Sequence, residues 1–335
     1  MHDFRGASAC LRGQCQPGGT VSRVLITGGR GLVGRPTVAA LLAAGHQVVS
    51  VTRSPRVGAP DIALTEVSVG DLGATNDWTR LLRGVDAVVH LAGRRPHADD
   101  EGTDAIASFY QVNVQGSARL ASAARAAGVS RFLHVSTLKV HGETSDGPLT
   151  ELSPTRPESP YASSKLEGEE AVRDALKGSH VALTILRPPM IYGPGVEGHF
   201  ERLLMLAARG IPWPLGAQDN RRSMVAASNL ADLLAHLVTE APEQAALLVA
   251  EGPPLSSAEL FRLLQRGFGR REWSLPFDLS PLLRTARFSP VDGLLERLLG
   301  SLEVDADRLF AATGWAPPAS TEDALAATAR WYAAR

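Results

Sequence analysis

Short, branched apolar runs alternate along the first half of the chain with Ala- and Leu-rich stretches of helical period. Residues 24–26 (Val-Leu-Ile) read as a buried strand; a run of glycines follows, and residues 36–44 then read as a helix closed by Gly45. Strands are predicted at 48–51 and 64–69, part of a helix at 78–82, and a fourth strand at 85–90. One long Ala-rich helix is predicted over 105–128, a fifth strand at 132–135, a helix over 162–176 and a strand at 181–186. Strands alternating with helices at this spacing imply right-handed crossovers and a parallel, doubly wound sheet.

Past Arg187 the rhythm breaks. Pro188-Pro189, Gly193-Pro194-Gly195 and Pro212-Trp213-Pro214 leave room only for short helices and irregular stretches. Ser256 followed by Glu259 predicts a capping box opening a helix through Leu264. Residues 281–299, apolar and dotted with arginine, fit a lid on the rest of the domain or, alternatively, a membrane-surface helix. The expected organisation is a disordered extension over 1–20 and a nucleotide-binding domain over 21–187 that regains a segment near 222–240. The remainder of 188–335 is expected to form a smaller α/β substrate-binding region.

Composition narrows the function. The 335 residues carry a formal net charge of −1, which argues against nucleic acid as a partner, since a polyanion binder needs a basic surface. No window offers about 18 uninterrupted apolar residues, so no membrane span is expected. Residues 1–20 lack the apolar core of a secretory signal. Cys10 and Cys15 are the only cysteines; a C-x4-C pair without nearby histidines is a poor metal site, and no metal is expected. These features fit a cytoplasmic protein.

The chemistry starts in the first strand-to-helix turn, Thr27-Gly28-Gly29-Arg30-Gly31-Leu32-Val33-Gly34. Glycines at 28, 31 and 34 allow a tight turn, close approach of the backbone to a pyrophosphate, and close helix packing, while the helix start offers N–H groups to phosphate. The second strand ends in Thr52-Arg53 rather than in the acidic residue that would hold the ribose diol of NAD. Arg53, helped by Arg30, is placed to meet a 2′-phosphate, which tilts the expectation toward NADP(H) over NAD(H). Asp71-Leu72, after the third strand, offers a carboxylate near the adenine.

Tyr161 and Lys165 stand one helical turn apart, and with four tyrosines and three lysines in the chain such a pair arises by chance about 0.04 times. A phenol titrates near 10; a neighbouring ammonium and a cationic nicotinamide are expected to lower that value and make Tyr161 a usable base, with Lys165 also on the nicotinamide ribose. Ser136 and Thr137 end the fifth strand at the carboxyl edge of the sheet, where open α/β sheets bind ligands. Thr137 is the first choice to orient the reacting oxygen, with Ser136 beside it.

Together with His90-Leu91-Ala92-Gly93, Asn113-Val114-Gln115-Gly116, Arg187-Pro188-Pro189-Met190-Ile191-Tyr192-Gly193-Pro194-Gly195, Asn220-Arg221-Arg222-Ser223-Met224-Val225 and Gly314-Trp315-Ala316-Pro317, these residues resemble the extended short-chain dehydrogenase/reductase superfamily, in its sugar-nucleotide epimerase/dehydratase branch. The resemblance implies a Rossmann-type domain with an NAD(P) cofactor. It places Leu91, Ala92 and Gly93 along the cofactor, Asn113 in the active-site wall, Pro188 and Tyr192 beside the nicotinamide, and Arg222 on the substrate's diphosphate. It also implies a homodimer paired through the helices at 105–128 and 162–176. Leu138 and Lys139 stand where 4,6-dehydratases carry an Asp-Glu pair, which argues against dehydration. The run from Ser136 to Glu143 is similar instead to UDP-glucose 4-epimerase-like proteins, including 4-keto-hexosamine reductases. Lys139 then faces the sugar, and His199 replaces an asparagine that touches the diphosphate in many relatives. The expected activity is epimerisation or keto reduction at C4 of a UDP-hexose or UDP-N-acetylhexosamine, with NADPH-dependent reduction of a non-nucleotide carbonyl as the alternative.

Overall fold

The computed structural model describes residues 21–54, 63–70, 77–96, 102–213, 219–240, 242, 245–274 and 300–335. The expectations for 1–20, for Asp71 and Leu72, and for 281–299 lie outside the described residues. Among the described residues seven strands form one parallel sheet: β1 (Arg23–Thr27), β2 (Gln47–Thr52), β3 (Leu64–Ser68), β4 (Ala87–His90), β5 (Arg131–Val135), β6 (Ala182–Arg187) and β9 (Ala245–Leu248), in the order β3-β2-β1-β4-β5-β6-β9. The order reverses beside β1, so a crevice opens at the carboxyl ends of β1 and β4. β7 (Met190–Tyr192) and β8 (Met224–Ala226) make a separate parallel pair.

Both faces of the sheet are covered, as continuous apolar strands require. On one face Leu25, Val88, Phe132 and Ile185 pack with α2 (Trp78–Leu81), α4 (Ser117–Ala126) and α5 (Pro160–Leu176). On the other, Ile26, Val89 and Leu133 pack with α1 (Gly34–Ala43) and α7 (Ala227–Glu240), joined by α9 (Asp307–Thr313). The chain thus returns to the sheet through α7 and then adds β9 at its edge. A third core is built by α6 (His199–Ala208), α8 (Ser257–Gly267) and α10 (Thr321–Ala333), and a smaller fourth one gathers Leu138, Leu248, Leu302 and Val304. The capping box of Ser256 and Glu259 is present at the start of α8. Among the described residues no helix is long and apolar enough to cross a membrane.

The long helix expected over 105–128 is three segments: α3 (Gly102–Phe109), a π-helical turn (Tyr110–Gly116) and α4. Helical periodicity cannot register the widened turn. Its cause is packing, because the Asn113 carbonyl is pressed against Gly168 of α5, where a Cβ would lie 2.3 Å from that oxygen. π-turns of this kind gather at functional sites.

Candidate active site

Gly28 leaves β1 with φ +75°, and a Cβ on it would lie 2.9 Å from the Ala92 nitrogen and 3.1 Å from the Leu91 carbonyl carbon. Gly34 seats α1 on the same turn, since its Cβ would fall 2.1 Å from the Gly28 oxygen. Gly31 closes the loop with its N–H on that oxygen at 3.0 Å. Between them Leu32 and Val33 are half-buried, and Val33, at the cap position of α1, offers no side-chain acceptor to the helix N–H groups. By contrast α5, α8 and α10 are capped by Ser159, Ser256 and Ser320. An uncapped helix start behind a glycine turn fits a phosphate.

From this turn Leu91, Ala92 and Gly93 lead to Lys165. A Cβ on Gly93 would lie 3.1 Å from Asn113 Oδ1 and 3.7 Å from Lys165 Nζ, so the end of the shelf is kept clear of side chains. These residues fit a dinucleotide laid from the glycine turn toward Lys165. Asn113 Oδ1 accepts from the Arg94 N–H at 2.8 Å and its Nδ2 donates to Ser164 Oγ at 2.9 Å, which ties the shelf to α5.

The two arginines expected at the ribose differ. Arg30 is engaged: Nη2 lies 2.9 Å from Glu66 Oε2 on β3 and Nη1 donates to the Ser54 carbonyl at 3.0 Å. Arg53 is exposed just beyond β2.

Lys165 is buried and donates from Nζ to the Val135 carbonyl at 2.8 Å. Tyr161, one turn earlier, is half-buried with its phenol facing the Thr137 side chain. Burial pushes its phenol up to about 12, against the opposing effects of Thr137 and of the Arg95 charge. The lowering of Tyr161 expected from Lys165 is therefore corrected: the ammonium is turned to β5, and burial brings Lys165 itself down to about 8, with Glu169 opposing. Thr137 also caps a 3-10 turn (Leu138–His141), accepting from the Lys139 N–H at 3.3 Å. Ser136 is buried and turned toward the Glu169 carboxylate without a full hydrogen bond.

A cavity of about 250 Å³ opens beside Thr137, and Lys139, His199 and Arg222 line it together with Glu143, Met190 and Phe200. Lys139 Nζ reaches both Glu143 oxygens, at 2.6 and 2.8 Å, and Arg222 Nη1 donates to the Gly300 carbonyl at 2.8 Å. Four of the expected substrate contacts thus share one cavity. Tyr192 does not join them. It is wholly buried, stacked on Phe200 at 5.5 Å and bonded to Glu251 Oε1 at 2.5 Å, because β7 points its ring into the third core. Pro188 is buried, and its carbonyl accepts from the Leu138 N–H at 2.8 Å.

Under the site lies a charged group that is not among the residues expected from the sequence. Glu169, wholly buried on α5, is held by Arg187 at the end of β6, and Arg187 also meets His141. A signal existed: Glu169 lies four residues after Lys165, on the same face of the helix.

The model of the NAD dependent epimerase/dehydratase family matches residues 24–250. The UDP-glucose 4-epimerase of Vibrio cholerae is 33% identical over 314 residues, 92% of this chain and 95% of that protein. The ceramide reductase of Caulobacter vibrioides is 36% identical over 203 residues, 60% of this chain and 56% of that protein. Among solved structures, MoeE5 in complex with UDP-glucuronic acid and NAD superposes with a TM-score of 0.73 at 25% identity, covering 93% of this chain and 99% of that one. The chain belongs to the NAD-dependent epimerase/dehydratase family of enzymes.

Proposed function

We propose that this enzyme inverts C4 of a UDP-hexose or UDP-N-acetylhexosamine through a 4-keto intermediate. The observation that carries the reading is that Tyr161 faces Thr137, which lines one cavity together with Lys139, His199 and Arg222. When bound, the oxidised nicotinamide supplies a hydride acceptor and a positive charge next to the phenol. Tyr161 takes the O4 proton as C4 is oxidised and returns it after the sugar has turned over; Thr137 holds O4 in line. Lys165, fixed on the Val135 carbonyl, orients the nicotinamide ribose at the Gly93 end of the shelf. Arg222 grips the diphosphate, a role suited to a planar guanidinium.

The full-length similarity to a UDP-glucose 4-epimerase favours inversion over net reduction. A reductase is the second reading, favoured by the exposed Arg53 at the ribose end and by the 36% identity to a ceramide reductase over part of its length. Incubation with UDP-glucose and UDP-N-acetylglucosamine, followed by proton NMR of C4, tests the proposal, with the dinucleotide released on denaturation identified alongside. Formation of the C4 epimer without net loss of cofactor supports it. Consumption of NADPH against a ketone, with no epimer from either nucleotide sugar, overturns it in favour of a reductase.

A further inference from the structure

Beneath the Tyr161–Thr137 pair lies a buried ionic system that the proton and hydride transfers do not themselves use. Arg187 donates from Nε to Glu169 Oε1 at 3.0 Å and from Nη2 to Oε2 at 2.6 Å, and Arg173 adds a contact to Oε2 at 3.2 Å. Arg187 Nη1 then meets His141 Nε2 at 3.0 Å. A guanidinium only donates, so Nε2 is the acceptor and His141 is neutral, with its proton on Nδ1 aimed at the Pro154 carbonyl 3.2 Å away. Burial and the Arg187 charge both hold His141 below its usual value, in keeping with that tautomer.

A buried ion pair is a weak source of stability, because desolvation offsets most of its attraction and apolar packing would serve as well. What it supplies here is a connection. Glu169 belongs to α5, four residues after Lys165 and eight after Tyr161. His141 ends the 3-10 turn that Thr137 caps. Arg187 ends β6, whose Leu186 carbonyl accepts from the Ser136 N–H at 2.7 Å. The three residues therefore bolt together the helix that carries the proposed base and the turn that carries its hydroxyl partner.

We propose that Glu169, Arg187 and His141 act as positioning residues, a clamp that sets Tyr161 and Lys165 against Thr137 and keeps a negative charge beneath the Lys165 ammonium. The proposal rests on the hydride-transfer reading of the site. The titratable and charged groups around Lys165 and Glu169 are Tyr161 and Arg173 on α5, His90 on β4, His134 on β5, Arg187 on β6 and His141 on the turn. Glu169 itself is the group that raises Lys165.

The test is the titration of Lys165 by NMR in protein carrying carbon-13 at the lysine ε position, where three lysines give three resonances. In E169Q, which keeps the shape but loses the charge, the Lys165 midpoint is expected to fall by about one pH unit from about 8. The corresponding limb of the kcat–pH profile should move with it, with KM unchanged. An unmoved midpoint in folded E169Q overturns the proposal. Should E169Q fail to fold, the His141 pair decides. His141→Leu removes the acceptor facing Arg187 and should lower kcat about tenfold at constant KM, while His141→Gln restores an acceptor and should recover most of it. Equal losses in both, or none in either, overturn the clamp. A wild-type protein that turns over no nucleotide sugar defeats the reaction assigned above, while the Lys165 midpoint still decides whether Glu169 holds its charge.

Discussion

The Asn113 amide donates to the Ser164 hydroxyl at 2.9 Å, across the seam where the π-helical turn meets α5. Ser164 immediately precedes Lys165, and Asn113 Oδ1 also holds the Arg94 N–H at the end of the Leu91–Gly93 shelf. One side chain thus couples the shelf to the helix of Tyr161 and Lys165. The contact depends on Gly168, whose missing Cβ admits the Asn113 carbonyl.

Gly168→Ala measures that dependence. In an open helix alanine is the better residue by about 1 kcal/mol. Here the methyl would lie 2.3 Å from a backbone oxygen that cannot rotate away, and the overlap should cost about 1–3 kcal/mol. The variant is expected to melt below the wild type. A rise in Tm would show that α5 and the π-turn stand farther apart than described.

Tyr161→Phe should abolish turnover while leaving dinucleotide affinity within about twofold, because it removes the proton-transferring group but almost no volume. Unchanged kcat would remove Tyr161 from the reaction. The high value of the phenol adds a pH signature to free-enzyme stability. The group is raised to about 12 in the folded state against about 10 when unfolded. The folded state therefore keeps its proton longer, and this contribution is present below pH 10 and is lost as the pH climbs from 10 to 12.

Cofactor preference should respond to Glu66. Its carboxylate engages Arg30, so the charge of the glycine-turn arginine is offset within the protein. Glu66→Gln keeps a hydrogen-bonding group but releases that charge toward the adenine-side ribose at the glycine-turn end of the shelf. The Kd ratio of NADH to NADPH should move several-fold in favour of NADPH. A ratio that stays fixed would show that Arg30 does not face the 2′ position.

The alternation of strands and helices was legible because β1, β2, β4, β5 and β6 are buried on both sides and so are written as mainly apolar runs, interrupted only by single buried polar residues such as Ser50, His134 and Thr184. The glycine turn and the Tyr161–Lys165 spacing were equally plain, since each needs particular residue types at fixed intervals. Three features were not. The π-turn at Tyr110–Gly116 is imposed by α5, not by local preference. The clamp joins residues 141, 169 and 187, which only the folded sheet brings together. Tyr192 fits a substrate contact in the motif that carries it, yet a three-residue strand turns it inward against Phe200 and Glu251.

That inward position gives Tyr192→Phe a clear outcome. The Tyr192 hydroxyl serves Glu251, which also holds the Ala226 N–H at 2.7 Å and Asn229 Nδ2 at 2.6 Å. Removing one donor from a buried carboxylate should destabilise the fold by about 1–3 kcal/mol. Because the ring does not line the cavity, kcat and KM should stay near wild type. A large rise in KM with unchanged stability would return Tyr192 to the substrate site.

The buried histidines predict sensitivity to acid. His90, wholly buried between Thr27 Oγ1 at 2.6 Å and Ser117 Oγ at 2.9 Å, is brought down to about 3 chiefly by burial. His134, its neighbour across the sheet at 5.2 Å between ring centroids, is also held well below the usual range by burial. Neither of its ring nitrogens has a hydrogen-bond partner among the described residues. In both cases the unfolded chain binds a proton that the folded one refuses. Stability is therefore complete above the unfolded value near 6.5 and falls as the pH drops below it, by up to about 1.4 kcal/mol per pH unit for each histidine. His134→Leu, close in volume, deletes one of these protons. Its gain over wild type in urea unfolding should be larger at pH 5 than at pH 7, by about 2 kcal/mol. The comparison between the two pH values cancels whatever the leucine does to packing. An equal difference at both would mean that His134 titrates normally in the folded protein and is not buried as described.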